Sequence, residues 1–123
     1  MSRKSLLGCL EKRDLLNRAA VAVETLISEG KEFEEAGQLS DAIDFYEKAR
    51  DHESLTRILE IAREEADVFL LGRIGRILNA PLQADEWLAV AERAEKLGKQ
   101  AFAAEAYRRG GREAPTPPEG DAA

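Results

Sequence analysis

The sequence is poor in the residues that mark several common classes of protein. Its 123 residues include one cysteine, Cys9, so no disulfide can form within the chain and nothing indicates a secreted, disulfide-stabilised scaffold. No apolar run approaches the ~18 residues that a membrane span needs. Val, Ile and Thr together number 13, against 20 Ala and 15 Leu. Because β-branched residues favour strands while Ala and Leu favour helices, the composition predicts an all-α fold.

The chain also lacks an excess of basic residues. Its 18 Lys and Arg are outnumbered by 24 Asp and Glu, which gives a net charge of −6. Nucleic acids and anionic membranes attract clusters of Lys and Arg, so neither is an expected partner. Leu6-Leu7-Gly8-Cys9 resembles a bacterial lipobox, but the apolar stretch before the cysteine is much shorter than the roughly 7–15 residues of a signal peptide. We therefore expect a cytoplasmic protein.

Apolar residues recur every three or four positions along most of the chain, which is the spacing of one helix face. Gly37, Gly98 and Gly110-Gly111 interrupt this spacing and are expected to end helices. Asn17 is the expected N-cap of the second helix. The pattern predicts six or seven helices, at about 5–16, 17–37, 40–52, 54–64, 67–78, 84–97 and 99–109. The short turns between them predict a string of antiparallel helical hairpins.

Two segments of the chain carry the same pattern of residues in register. Each has a glycine five residues before an alanine, and a tyrosine four residues after that alanine. These residues are Gly37, Ala42 and Tyr46 in segment 26–54, and Gly98, Ala103 and Tyr107 in segment 87–115. The flanking positions are Leu26, Gly30, Phe33 and Ala49 in the first segment and Trp87, Ala91, Ala94 and Pro115 in the second. The pattern resembles the tetratricopeptide repeat, a helix–turn–helix unit.

The resemblance implies a right-handed α-solenoid of about three antiparallel helical hairpins over residues 17–111. Residues 1–16 would form an extra N-terminal helical segment. The tail, residues 112–123, contains three prolines and no large apolar residue, and we expect it to be disordered.

The chain departs from the family pattern at several positions. Glu29, Ser54 and Ala94 stand where the family has leucine, proline and an aromatic residue. The two matching segments lie 61 residues apart, against about 68 for two regular repeats. The hairpin between them, residues 54–80, must therefore be short and irregular.

In the family that the chain resembles, the outward residues of the first helix of each hairpin line a concave binding surface. The corresponding residues are Glu24, Ile27, Lys31, Glu34 and Glu35 in the first hairpin and Asp85, Leu88, Glu92, Glu95 and Lys96 in the last. Their acidic character, with two apolar positions, suits a basic and partly apolar protein or peptide. Glu24 and Ile27 are poor anion ligands, so the set does not match the clamp by which related modules hold a chaperone's C-terminal carboxylate.

No set of residues with catalytic spacing stands out. His52, the only histidine, lies near a predicted helix end without a second His or a Cys pair at metal-ligand spacing. Acidic runs such as Glu64-Glu65 fit solvated helix faces better than a cleft that holds two carboxylates apart. The sequence therefore indicates a non-catalytic protein that needs no metal or cofactor.

Two other functions stay open. Gly72-Arg73-Ile74-Gly75 resembles the Gly-x-x-Gly loop of a KH domain, which would make Arg73 and Arg76 a nucleic-acid site. A KH fold needs a three-stranded sheet that the sequence does not predict, so we prefer to interpret the glycines as positions of close helix packing. The second alternative is self-assembly, in which residues 5–16 would join two chains into a homodimer instead of a monomer.

Overall fold

The computed structural model describes residues 6–18 and 20–112, and helices make up most of that length. The helices are α1 Cys9–Asn17, α2 Val23–Glu35, α3 Leu39–Ala49, α4 His52–Glu65, α5 Val68–Ile77, α6 Ala84–Lys96 and α7 Gln100–Arg109. These two ranges contain no strand, which confirms the predicted all-α class. Of the tail predicted to be disordered, residues 113–123 lie outside the described residues, as do residues 1–5 of the N-terminal segment. Within the described part of the chain, no helix is long and apolar enough to cross a bilayer.

The chain divides into two compact units, one up to Ile58 and one from Leu59 onward. In the first unit α2 packs against α3, and α1 also contacts α3. In the second unit α6 packs against α7, and α5 also contacts α7. Helix α4 contributes residues to both units. Each unit therefore contains one helical hairpin with a further helix beside it.

The two units have cores of different composition. In the first, Phe33 stacks on Phe45 with ring centroids 5.6 Å apart, and the rings lie among large, fully buried side chains such as Ile43 and Tyr46. The core of the second unit combines large and very small residues. Its cluster consists of Ala62, Ala66, Val68, Leu71, Leu82, Trp87, Val90, Ala91, Ala94, Ala103, Ala106 and Tyr107. The alanines permit close approach of the helices, and Trp87 supplies much of the apolar volume.

Three of the predicted helix starts need correction. Helix α1 begins at Cys9 and not at residue 5, because residues 6–8 are not helical. Asn17 is the last residue of α1 and not the N-cap of the next helix, because α2 begins six residues later at Val23. Helix α4 begins at His52, before the predicted start at Ser54, because the Asp51 side chain caps it. The Asp51 carboxylate accepts hydrogen bonds from the Ser54 N–H at 3.1 Å and from the Ser54 hydroxyl at 2.6 Å. A capping aspartate three residues before a serine was therefore the signal that fixed this boundary.

The two hairpins have the same internal geometry. Helices α2 and α6 are each 13 residues long, and their first residues, Val23 and Ala84, are 61 positions apart. Gly37 and Gly98, in the turns, have φ angles of +79° and +76°. Each hairpin also contains a hydrogen bond from a tyrosine hydroxyl to a glutamate twelve positions earlier. These bonds are Tyr46–Glu34 at 2.7 Å and Tyr107–Glu95 at 2.8 Å. The predicted register of the two segments is confirmed.

From α2 onward, every helix ends in the same way. One residue takes a positive φ, and the N–H of the next residue donates to the carbonyl five positions earlier, at 2.8–2.9 Å. This is the Schellman arrangement, in which glycine is favoured because it has no Cβ. The positive-φ residues are Gly37, Arg50, Ala66, Asn79, Gly98 and Gly111. At three of the six ends the positive-φ residue is therefore not glycine, and its backbone has a conformation that residues with a side chain rarely adopt.

Arg50→Gly is expected to stabilise the protein by about 0.5–1 kcal/mol. Arg50 is exposed and has a φ of +56°, a conformation that costs a non-glycine residue roughly 1–2 kcal/mol. The greater freedom of glycine in the unfolded chain offsets part of this gain. Urea unfolding measures this change in the free energy of unfolding, provided that the two proteins have the same m-value. Gly37→Ala is the matched control: nothing lies within 4 Å of the added Cβ, so its expected loss of about 1 kcal/mol reports backbone strain alone. A loss of stability in Arg50→Gly would contradict this explanation.

Candidate functional site

The outward face of α2 forms a shallow, open groove. Its volume is about 420 Å³, and it is lined by Glu24, Ile27, Ser28, Lys31, Glu32 and Glu35. Four of the five residues predicted on this helix therefore lie together, because positions three or four apart share one helix face. Ile27 is half-buried, whereas Glu24, Lys31 and Glu35 are exposed. The groove thus combines an apolar side chain with an excess of negative charge.

Glu34, the fifth predicted residue, is held by two partners within the first unit. The Tyr46 hydroxyl donates to Oε1 at 2.7 Å, and Arg57 donates through Nη2 to Oε1 at 2.6 Å and through Nε to Oε2 at 3.2 Å. The hydrogen bond from Arg57 lowers the pKa of Glu34 and outweighs the opposing effect of burial. Burial raises the pKa of Tyr46, and its hydrogen bond to the Glu34 carboxylate raises it further. The Glu34 carboxylate is therefore already bound by Tyr46 and Arg57, and it is less available to a partner than the exposed residues of the groove.

These two pKa shifts predict that stability falls at both ends of the pH range. The folded pKa of Glu34 lies below the ordinary value of 4.5, so its contribution is present above that pH and is lost as the pH falls through the folded pKa. The folded pKa of Tyr46 lies above the ordinary value of 10.0, so its contribution is present below that pH and is lost as the pH rises. Urea unfolding at a series of pH values should show both losses. Glu34→Gln should reduce the loss of stability at acid pH, and Tyr46→Phe should reduce the loss of stability at alkaline pH. An unchanged loss at acid pH in Glu34→Gln would contradict the role given to Glu34.

The predicted residues on α6 comprise several exposed side chains and one core contact. The exposed residues are Asp85, Glu92, Glu95 and Lys96. Leu88 is half-buried and packs against the core cluster of the second unit. Its Cδ2 atom would lie 2.8 Å from a Cβ on Gly110. Leu88 therefore helps to close the hairpin, and most of its surface is not available to a partner.

The charges on the two outward faces are not the same. Lys31 and Glu35 of α2 correspond to Glu92 and Lys96 of α6, so the sign is reversed at both positions. The two hairpins consequently share their geometry but present different charge patterns, and a partner that suits one face need not suit the other.

A second depression lies between α4 and α6 within the second unit. Its volume is about 310 Å³, and it is lined by Glu60, Arg63, Glu64, Ala89, Val90 and Arg93. Arg63 pairs with Glu86 at 3.0 Å, and Arg93 donates to the Glu64 carbonyl at 2.9 Å. The Gln83 N–H at the start of α6, and then Arg63, lower the pKa of Glu86. No pattern in the sequence indicates this surface, because its pairs join residues 23 and 29 positions apart.

The two glycines of α5 have different surroundings. A Cβ on Gly75 would lie 3.2 Å from the Cα of Pro81, so the close neighbour at this glycine is the segment that follows α5 and not the second helix that the sequence predicted. At Gly72 the neighbouring groups are instead the side chains of Arg109 and Arg76. No strand that could form the sheet of a KH domain occurs in residues 6–18 or 20–112.

Cys9 and His52 are exposed first residues of α1 and α4. Among the described residues, no three His, Cys, Asp or Glu side chains are grouped as metal ligands would be. The chain matches no family model, no curated protein and no solved structure. Geometry and charge are therefore the basis for assigning a function.

Proposed function

We propose that the chain is a non-catalytic protein-interaction module, built as a right-handed, tetratricopeptide-like α-solenoid that acts in the cytoplasm. The observation that carries this proposal is the pair of equivalent hairpins, residues 23–49 and 84–109, which share the length of the first helix, the turn geometry and a Tyr–Glu hydrogen bond. Repeated hairpins of this kind bury their apolar sides against neighbouring units and leave an extended surface for a partner.

The partner of the α2 groove is a basic, partly apolar protein or peptide. Glu24, Glu32 and Glu35 outnumber Lys31 along the groove, so a positive segment is favoured there. Ile27 offers an apolar contact between these charges. The groove is open and shallow, which suits an extended or helical peptide better than a small molecule that needs to be enclosed.

The test is a titration of the protein with a labelled peptide that carries Lys and Leu on one helical face. Glu24→Lys combined with Glu35→Lys should weaken binding about tenfold, because both changes replace attraction by repulsion. Asp14→Lys combined with Glu53→Lys is the matched control, since both residues are exposed and the net charge changes equally. Binding should also weaken with salt, as expected for exposed charges.

Amide chemical shifts decide where the peptide lies. The proposal requires that, as the peptide is added, the amide shifts change mainly at the exposed positions of α2. In the Glu24→Lys, Glu35→Lys variant these shifts should not change. Equal affinity of the two double variants, or shift changes confined to other helices, would place the binding surface elsewhere.

Self-assembly into a homodimer is the second candidate, and one observation favours it. Leu10 on α1 is 70% exposed, the largest exposed fraction among the large apolar side chains of the described residues. Light scattering distinguishes a 13.6 kDa monomer from a dimer of twice that mass. If a dimer forms through α1, Leu10→Ser should dissociate it; a monomer in the wild type would exclude this function at the concentration tested.

A further inference from the structure

Two arginine side chains meet over a glycine on the surface of the second unit. A Cβ on Gly72 would contact the Nη1 atom of Arg109 and would lie 3.8 Å from Nη1 of Arg76. The guanidinium groups from α7 and α5 are therefore neighbours, in space that most side chains at position 72 would fill. Both carry planar sets of N–H donors that suit a carboxylate, and an anion between them would relieve their mutual repulsion.

The carboxylate already present satisfies only part of this charge. Glu105 accepts hydrogen bonds from Nε of Arg109 at 2.8 Å and from Arg108. Nη1 of Arg109 makes only a long contact of 3.4 Å, to the Val68 carbonyl. The guanidinium group of Arg76 lies on an exposed residue and forms no hydrogen bond or ion pair with another residue in the described ranges. Donors on both guanidinium groups consequently remain for a further anion.

An exposed aromatic ring stands beside these guanidinium groups. Phe69, three residues before Gly72, is 59% exposed and packs edge-on against Phe102 with centroids 5.9 Å apart. Arg109 lies over the Phe69 ring at 5.5 Å and over the Trp87 ring at 5.1 Å. These contacts hold the Phe69 side chain in one position on the surface. Phe69 therefore loses little conformational entropy when a partner covers it. Fixed aromatic residues with arginine neighbours are typical of protein-binding hot spots.

We propose that the surface formed by Phe69, Gly72, Arg76, Phe102 and Arg109, the Gly72 surface, binds an acidic peptide segment of a protein partner. A carboxylate of the segment accepts hydrogen bonds from Arg76 and Arg109 above Gly72, and an adjacent apolar side chain covers Phe69. The charge preference is opposite to that of the α2 groove, so this is a second surface with a different kind of partner. A nucleic acid fits less well, because a long polyanion would extend from these few cations over a chain of net charge −6.

The binding test uses a fluorescein-labelled peptide that places two Glu beside one Phe, with a Lys-for-Glu peptide as the charge control. Arg76→Glu and Phe69→Ala should each weaken binding about tenfold or more, as the loss of a charge-assisted hydrogen bond or of an aromatic contact does. The matched variants Arg13→Glu and Leu10→Ala change the same charge and a similarly exposed apolar group on α1, and should bind as the wild type does. Wild-type affinity in Arg76→Glu, no measurable binding of the acidic peptide, or tighter binding of a single-stranded oligonucleotide would overturn the proposal.

A second test needs no ligand. Gly72→Glu places a carboxylate of the chain itself between the two guanidinium groups, whereas Gly72→Gln adds nearly the same volume and helix propensity without the charge. If the Gly72 surface is built for a carboxylate, Gly72→Glu should melt at a higher temperature than Gly72→Gln, the difference should shrink at high salt, and the acidic peptide should no longer bind. Identical melting temperatures for the two variants would show that the arginines do not form a carboxylate site.

Discussion

Glu34→Lys is expected to destabilise the protein by about 2–3 kcal/mol, whereas Glu35→Lys, one position along the same helix, should change its stability by less than about 0.5 kcal/mol. The Glu34 side chain is only 18% exposed and accepts hydrogen bonds from Tyr46 and Arg57. A lysine at this position leaves the buried Tyr46 hydroxyl without its acceptor and sets a second cation against Arg57. Glu35 is exposed, so an interaction that a lysine there disturbs is screened by water and contributes little to stability.

Urea unfolding of the two lysine variants measures this difference directly. Arg57→Glu, added to Glu34→Lys, restores one charge of each sign and should recover part of the lost stability, which a non-specific defect would not do. Equal stability of Glu34→Lys and Glu35→Lys would show that the contacts of Glu34 contribute nothing. In that case Glu34 would return to the set of residues available to a partner.

The hairpins could be predicted because local rules determine them. Apolar spacing of three and four residues defines a helix face wherever it occurs, and Gly37 and Gly98 end helices through their own conformational freedom. The same spacing explains why Glu24, Ile27 and Lys31 share one groove. The helix end at Arg50 could not be predicted in this way, because an arginine gives no local signal for a positive φ.

The remaining features of the candidate sites depend on contacts between residues far apart in the chain. Arg57 reaches Glu34 across 23 positions, and Arg109 reaches the Val68 carbonyl across 41 positions. No spacing within one helix indicates either contact. From the sequence, Gly72 is notable only as part of a Gly-x-x-Gly motif. The structure shows that its neighbours are arginine side chains from two helices.

Trp87→Ala is expected to cost about 3–5 kcal/mol, the largest loss among these substitutions. Trp87 lies in the core cluster of the second unit, half of whose members are alanines, and these have no longer side chains to move into the space left behind. The change also removes the ring under the Arg109 guanidinium group. Since small domains are stable by only about 5–15 kcal/mol in all, a large fraction of the folded protein would be lost at moderate urea concentrations.

Trp87→Leu is the matched comparison, because Leu26 occupies the corresponding position of α2 and is buried there. A leucine fills part of the volume, so this variant should lose about half as much as Trp87→Ala. Unfolding must be followed by circular dichroism, because Trp87 is the only tryptophan of the chain and its fluorescence disappears in both variants. A loss below about 1 kcal/mol in Trp87→Ala would mean that the alanine-rich helices move together and fill the space. Helix α6 could then approach its neighbours as closely as α2 approaches α3 at Gly30, where a Cβ would lie 2.6 Å from the Tyr46 ring.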